Sequence, residues 1–246
     1  MATLRLLLLQ ARLPDDPTRD GEVADFARRA GLPAESFSPW DLLAGAPSVA
    51  EARRFDGLMI GGSGDFYVSK GDLPEQRAFL DFLADWVEQG VPTFGACYGF
   101  QSLVQALGGE VSHDPGSTEV GTYELELTEE GREDPLFGTM PERFDAQLGR
   151  KDRAVRLPAG VPNLARSERC PFQGLRIPDR PVWASQFHPE LDERSNRERF
   201  LRYLDGYATA GGAAMTPEEQ QQQLDAFRQS PHASDLLRRF VDLVFE

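Results

Sequence analysis

Cys97 stands within Gly95-Ala96-Cys97-Tyr98-Gly99, with small residues on both sides of a thiol, between a short apolar run at 91–95 and a helix-like pattern at 98–107. Small residues at this spacing suit a sharp strand-to-helix turn, where the backbone is crowded and strained. Such a turn lifts the thiol clear of a sheet and sets it at a helix N-terminus, whose partial positive charge favours thiolate. Cys97 is therefore a candidate nucleophile, although a lone cysteine in an apolar setting reads equally well as a small core hydrophobe.

Ser185-Gln186-Phe187-His188-Pro189-Glu190 closes a second apolar run. Pro189 biases His188 towards extended backbone, and in an extended chain His188 and Glu190, two positions apart, point the same way. The imidazole would take a thiol proton and later give it to a leaving amine, while the carboxylate fixes the tautomer and stabilises the imidazolium. Taken singly, His188 reads as a hydrogen-bonded strand-end histidine and Glu190 as an acid at a helix start. Only their combination with Cys97 indicates chemistry. A third segment, Gly61-Gly62-Ser63-Gly64-Asp65, allows backbone angles that other residues avoid. It reads as a tight turn rather than a phosphate loop, because no Gly-Lys-Ser/Thr follows.

The elements around these segments read as an α/β fold. Residues 4–9 form a buried strand and 21–30 a helix; 57–60 is a strand leading into the glycine segment. Asp72 is a cap, with Pro74 and Glu75 in the first turn of a helix whose apolar face is Phe79, Leu83, Trp86 and Val87, stopped by Gly90. Strand, helix, strand, helix implies a parallel sheet covered on both faces. The middle predicts added, mostly antiparallel strands at 123–127, 144–148, 163–165, 174–177 and 182–186. A helix follows at 193–207, then a small-residue linker at 206–215. Thr216-Pro217-Glu218-Glu219 starts a helix to about 229. A last amphipathic helix carries Leu236, Leu237, Phe240, Val241 and Val244, suited to capping the sheet or to holding a second subunit.

The 246 residues carry 40 acidic and 26 basic side chains, a net charge of -14, which argues against nucleic acid or an anionic membrane as partner. The apolar run at 6–9 is too short for a signal-peptide core or a membrane span, so a cytoplasmic location is expected. Two cysteines make no disulfide framework, and three scattered histidines without paired cysteines argue against a metal site. Cys170 reads as structural, His113 and His232 as turn or tail residues, and Trp86 as core. Arg150 and Lys151 read as cations solvating a loop rather than meeting an acidic substrate.

In order and approximate spacing, the three segments resemble those of class I glutamine amidotransferases, the Cys-His-Glu glutaminase family that includes the ammonia-producing domain of GMP synthetases. The resemblance runs from the first strand to about residue 205. It implies a three-layer flavodoxin-like sandwich with a mostly parallel central sheet, an added antiparallel strand segment and C-terminal helices, divided as 1–205 and a 206–246 linker and helical extension. It implies Cys97, His188 and Glu190 as the catalytic triad, the backbone N–H groups of Gly62 and Tyr98 as an oxyanion hole, and Gly64 and Gln101 as contacts for the amino-acid end of glutamine.

Two departures from the family pattern stand out: Ser63 where many members have proline, and Gly149-Arg150-Lys151-Asp152 where many have a histidine-containing segment. The expected reaction is hydrolysis of a γ-amide through a cysteine thioester, with no cofactor. After residue 205 the chain is too short for a synthetase domain, so ammonia would go to a separate synthase. The alternatives are a free-standing hydrolase or transferase of γ-glutamyl conjugates, and a binding or regulatory module that keeps the fold without turnover.

Overall fold

The protein's structure, a computed structural model, describes residues 4–204 and 214–245. In chain order its strands are β1 (Leu6–Gln10), β2 (Phe37–Asp41), β3 (Gly57–Ile60), β4 (Thr93–Ala96), β5 (Glu110–His113), β6 (Glu119–Leu127), β7 (Arg143–Arg150), β8 (Asp152–Arg156), β9 (Asn163–Arg166), β10 (Gly174–Arg176) and β11 (Val182–Ser185). Its α-helices are α1 (Thr18–Ala30), α2 (Val49–Ala52), α3 (Gln76–Glu88), α4 (Tyr98–Ala106), α5 (Glu129–Glu133), α6 (Glu193–Arg202), α7 (Pro217–Asp225), α8 (Pro231–Ser234) and α9 (Leu236–Phe245).

One sheet runs in the order β2-β1-β3-β4-β11-β10-β9-β6-β7, and β5 pairs with β8 in a separate antiparallel ribbon. The strands from β2 across to β11 are parallel, and β10, β9, β6 and β7 continue antiparallel. Alternation along β1 explains the layering. Leu6 and Leu8 join a core with Phe26 of α1 and Phe240 of α9, whereas Leu7 and Leu9 join the opposite core with Leu83 of α3 and Leu103 of α4. The expected three-layer α/β sandwich with an antiparallel extension is therefore the architecture observed.

Several boundaries differ from expectation. The helix expected from Asp72 begins only at Gln76, because the Asp72 carboxylate accepts the Tyr67 N–H (2.7 Å) and Glu75 is left-handed (φ 51°), which a helix cannot absorb. Strand β2 has no sequence expectation behind it; it holds Pro39, which an edge strand tolerates, and pairs only with β1. The helix expected to reach 207 stops at Arg202, and the one expected to reach 229 stops at Asp225. Most of the expected linker, 206–213, lies outside the described residues. Trp86 is core as expected, its indole N–H donating to Thr93 Oγ1 (2.9 Å).

Of the two uses expected for the last helix, capping the sheet is the one seen within this chain. The apolar face of α9 is used within the chain: Leu236, Leu237, Phe240 and Val241 are buried, and the Phe240 ring meets Phe94 and Trp183 at 5.5 and 6.0 Å between centroids. Replacing Phe240 with alanine should therefore lower unfolding stability by about 3–5 kcal/mol, read from the denaturant midpoint at constant m. An unchanged midpoint would mean that α9 is dispensable to the fold.

Candidate active site

The parallel strands β4 and β11 are neighbours, with Ala96 opposite Ser185, so the segments after them emerge side by side at the carboxyl edge of the sheet. This is where open α/β sheets bind ligands. Cys97 occupies the single residue between β4 and α4, at φ 50° and ψ -95°, a conformation that costs a non-glycine residue about 1–3 kcal/mol. Neighbouring bonds hold it there. Its N–H donates to the Ser185 carbonyl (2.8 Å), and its carbonyl accepts the Gln101 N–H (3.0 Å). The flanking glycines admit no side chain: a Cβ at Gly95 would lie 2.9 Å from the Gly99 carbonyl carbon, and one at Gly99 would lie 2.7 Å from Ile60 Cβ.

His188 and Glu190 follow β11 and are buried. The His188 N–H donates to the Gln147 carbonyl of β7 (2.8 Å), tying the turn to the antiparallel part of the sheet. Its Nδ1 meets Glu190 Oε1 at 2.6 Å, which leaves Nε2 for proton exchange. Arg199 of α6 approaches the same Glu190 oxygen (3.4 Å) and also Asp25 (3.3 Å). Burial alone would push the imidazole towards its neutral form. The Glu190 carboxylate and the Cys97 sulfur, each also hydrogen-bonded to the ring, outweigh this and raise its pKa to about 10. For Glu190 burial works upward, but the imidazole and the Arg199 guanidinium hold the carboxyl below its ordinary range. The pair is charged and mutually stabilised, which sets an imidazolium beside the Cys97 sulfur.

The glycine segment lies against this pair. A Cβ at Gly62 would be 2.8 Å from His188 Cε1, one at Gly61 would strike the Glu22 carboxylate, and one at Gly64 would run into the Tyr203 ring. Ser63, the departure from proline, closes the loop through its Oγ, which accepts the Phe66 N–H (2.9 Å). Gly64, Cys97, Tyr98 and Gln101 line one pocket. The Gln101 side-chain amide donates to the Asp152 carbonyl (3.0 Å) and to Gln186 Oε1 (3.1 Å), and Gln186 in turn reaches Cys97 Sγ (3.6 Å). All seven sequence-derived site residues thus gather at one edge of the sheet.

The reading of Arg150 and Lys151 as cations of a solvated loop is corrected. Arg150 ends β7, is buried, and points its guanidinium at buried Glu119 (Nε to Oε2, 3.0 Å), because the segment is strand rather than loop. Lys151 is half-buried at the pocket wall, with Nζ 3.1 Å from the Tyr67 hydroxyl. His113 ends β5 rather than sitting in a turn, and its Nδ1 pairs with Asp152 Oδ1 (2.8 Å). Cys170 is buried with its thiol on the Phe172 carbonyl (3.3 Å), and burial pushes the thiol pKa up.

Sequence reasoning missed Gln186, Arg12 and Tyr203. Arg12, buried just past the carboxyl end of β1, binds Glu22 (2.7 Å) and Tyr203 (2.9 Å). The one signal for it was a cation immediately following a buried parallel strand, at the edge where such sheets bind ligands.

Comparison with known proteins identifies the family and the fold. The family described as glutamine amidotransferase class-I matches residues 46–204. The chain is similar to a glutamine-hydrolysing GMP synthase of Thermosipho africanus, 32% identical over 176 residues that make up 71% of this chain and 31% of that protein. It is likewise similar to the Aquifex aeolicus GMP synthase, 32% identical over 154 residues, 62% of this chain and 28% of that one. The chain therefore spans less than a third of the length of these relatives. A solved Thermotoga maritima glutamine amidotransferase shares the fold with a TM-score of 0.74 at 19% identity, covering 100% of both chains. One from Methylobacillus flagellatus has a TM-score of 0.70 at 24% identity, covering 99% of this chain and 93% of that one.

The His188–Glu190 contact has a direct titration test. With Glu190→Gln the larger of the two groups that raise the imidazole pKa is lost while the Cys97 sulfur remains, so the His188 midpoint should fall clearly below about 10. The ring-proton NMR signal of His188, one of three histidines, reads this. A midpoint that stays put would show that Glu190 is not what holds the imidazolium.

Proposed function

The chain belongs to the class I glutamine amidotransferase family, and from that membership we propose that it hydrolyses the γ-amide of glutamine to glutamate and ammonia through a thioester on Cys97. The observation that carries the reading is a strained thiol at the end of β4 facing a buried imidazole whose other nitrogen is 2.6 Å from a carboxylate.

In this reading the Cys97 sulfur attacks the γ-carbonyl carbon, and the carbonyl oxygen takes the negative charge. As the C–N bond breaks, the His188 imidazolium gives its proton to the departing nitrogen, and ammonia leaves a thioester. Neutral His188 then takes a proton from water, whose oxygen attacks the thioester carbon. Collapse of that second tetrahedral species breaks the C–S bond, frees glutamate and restores the sulfur beside a protonated His188. Glu190 keeps Nδ1 protonated throughout, so that Nε2 carries the exchange.

The backbone N–H groups of Gly62 and Tyr98 are the proposed oxyanion donors. Gly62 sits against the imidazole and Tyr98 opens α4, and each such donor lowers the barrier by about 3 kcal/mol. The Gln101 amide has both hydrogens engaged, so its carbonyl oxygen is the group that would receive the substrate ammonium.

Ammonia made here would pass to a synthase, a reading supported by relatives that carry glutamine hydrolysis and synthase in their names. Lys151 beside Tyr67 at the pocket wall favours one second reading, a γ-glutamyl conjugate with an acidic leaving part.

The test is intact-mass analysis after incubation with a diazoketone analogue of glutamine. One adduct is expected on the wild type and none on Cys97→Ala. Ammonia release should be measured from glutamine and from acidic γ-glutamyl amides in parallel. Turnover of the conjugates alone would select the second reading, and no adduct with no turnover of either would sink both.

A further inference from the structure

Besides His188, the glycine loop is gripped by groups that belong to none of the steps above. From one side the Glu22 carboxylate fills the place of a Gly61 side chain, and Arg12 holds that carboxylate through Nη2 (2.7 Å). The same Nη2 lies 3.7 Å from where a Gly62 Cβ would be. Arg12 Nη1 donates to the Tyr203 hydroxyl (2.9 Å), and that hydroxyl donates to Asp16 (2.6 Å). The Tyr203 ring lies on Gly64 from the other side and lines the pocket that holds Cys97. Three glycines of the loop thus rest on three different groups: Glu22, His188 and Tyr203.

Arg12 and Glu22 are 2% and 0% exposed. A buried ion pair adds little net stability over apolar packing, yet it fixes one geometry among alternatives. Such geometric control matters at an oxyanion hole, whose donors must meet the oxygen of the tetrahedral species rather than that of the ground-state carbonyl. We propose that Arg12 and Tyr203 are positioning residues that lock the 61–65 loop from both faces so that the Gly62 N–H presents to the developing oxyanion. The proposal rests on the glutaminase reading. It adds that the donor geometry is set by a pair that follows β1 and α6, 191 positions apart.

Removing Arg12 would leave Glu22 buried without its cation, so the working variant is Tyr203→Phe, which deletes one hydroxyl and keeps the ring on Gly64. Its kcat for glutamine should fall at least tenfold with KM within twofold of wild type, the signature of an interaction made in the transition state. Alkylation of Cys97 by iodoacetamide displaces iodide at a saturated carbon and forms no oxyanion, so its rate should stay within twofold. Arg12→Lys should retain more kcat than Arg12→Met, since it keeps the charge near Glu22.

Wild-type kcat in Tyr203→Phe would overturn the proposal and leave the glutaminase reading standing. So would a rise confined to KM, or a parallel loss of alkylation. A wild type with neither turnover nor a diazoketone adduct would overturn the reading itself and the proposal with it.

Discussion

The site depends on one pairing, the parallel ladder between β4 and β11. It sets Ala96 beside Ser185 and continues one residue further through the Cys97 N–H on the Ser185 carbonyl. That last hydrogen bond ties the nucleophile's own backbone to the strand that delivers the base. Residues 97 and 188 are far apart in the chain, and a slip of one residue in this register would turn the following side chains to the opposite face. The glycines at 95 and 99 belong to the same constraint, since they let α4 approach β3 closely enough for the turn to close.

The antiparallel extension beyond β11 works on the site from the other flank. The residue before β10 and a residue of β7 supply carbonyl partners for the chain leaving β11: Gln173 accepts the Gln186 N–H (3.0 Å) and Gln147 accepts the His188 N–H (2.8 Å). Without them the Gln186–Glu190 turn would hang from β11 alone, with buried donors unsatisfied. The extension also brings Asp152 to Gln101, so the pocket wall opposite Cys97 is built from the region inserted between α4 and β11. An appendage to the parallel sheet is thereby part of the frame of the site.

What was legible in the sequence was local. Glycines around a thiol, a His-Pro-Glu run ending an apolar strand, and the short apolar run at 4–9 each express a constraint within about ten residues, and each led to the element observed. The expectations that failed concern interactions decided by the tertiary path of the chain. Arg150 looked solvated because nothing near it in sequence shows that Glu119 waits buried across the β6–β7 ladder. Asp72 looked like a cap because its use by Tyr67, five residues back, follows from the loop's tertiary path. Arg12 and Tyr203 carried no motif, since a buried cation is recognisable only once its counter-ions have been folded onto it.

The charges of the site also bear on how the fold responds to pH. The His188 pKa is raised on folding, so its contribution to stability is complete below about 6.5 and is lost as pH rises through about 10. The Glu190 pKa is lowered, so its contribution is present above its ordinary 4.5 and is lost as pH falls through the depressed folded value. The two contributions are complete together only between about 4.5 and 6.5, and above that range the fold progressively gives up the imidazolium's share. The charged pair that readies the sulfur is thus also part of what holds β11's exit in place, so the chemical step and the local fold draw on the same interaction. Any substitution that frees the base to shed its proton more readily must loosen the turn that positions it, which argues for a supporting frame, Arg199 behind Glu190 and the Gln147 carbonyl behind His188, that holds the turn from outside the pair.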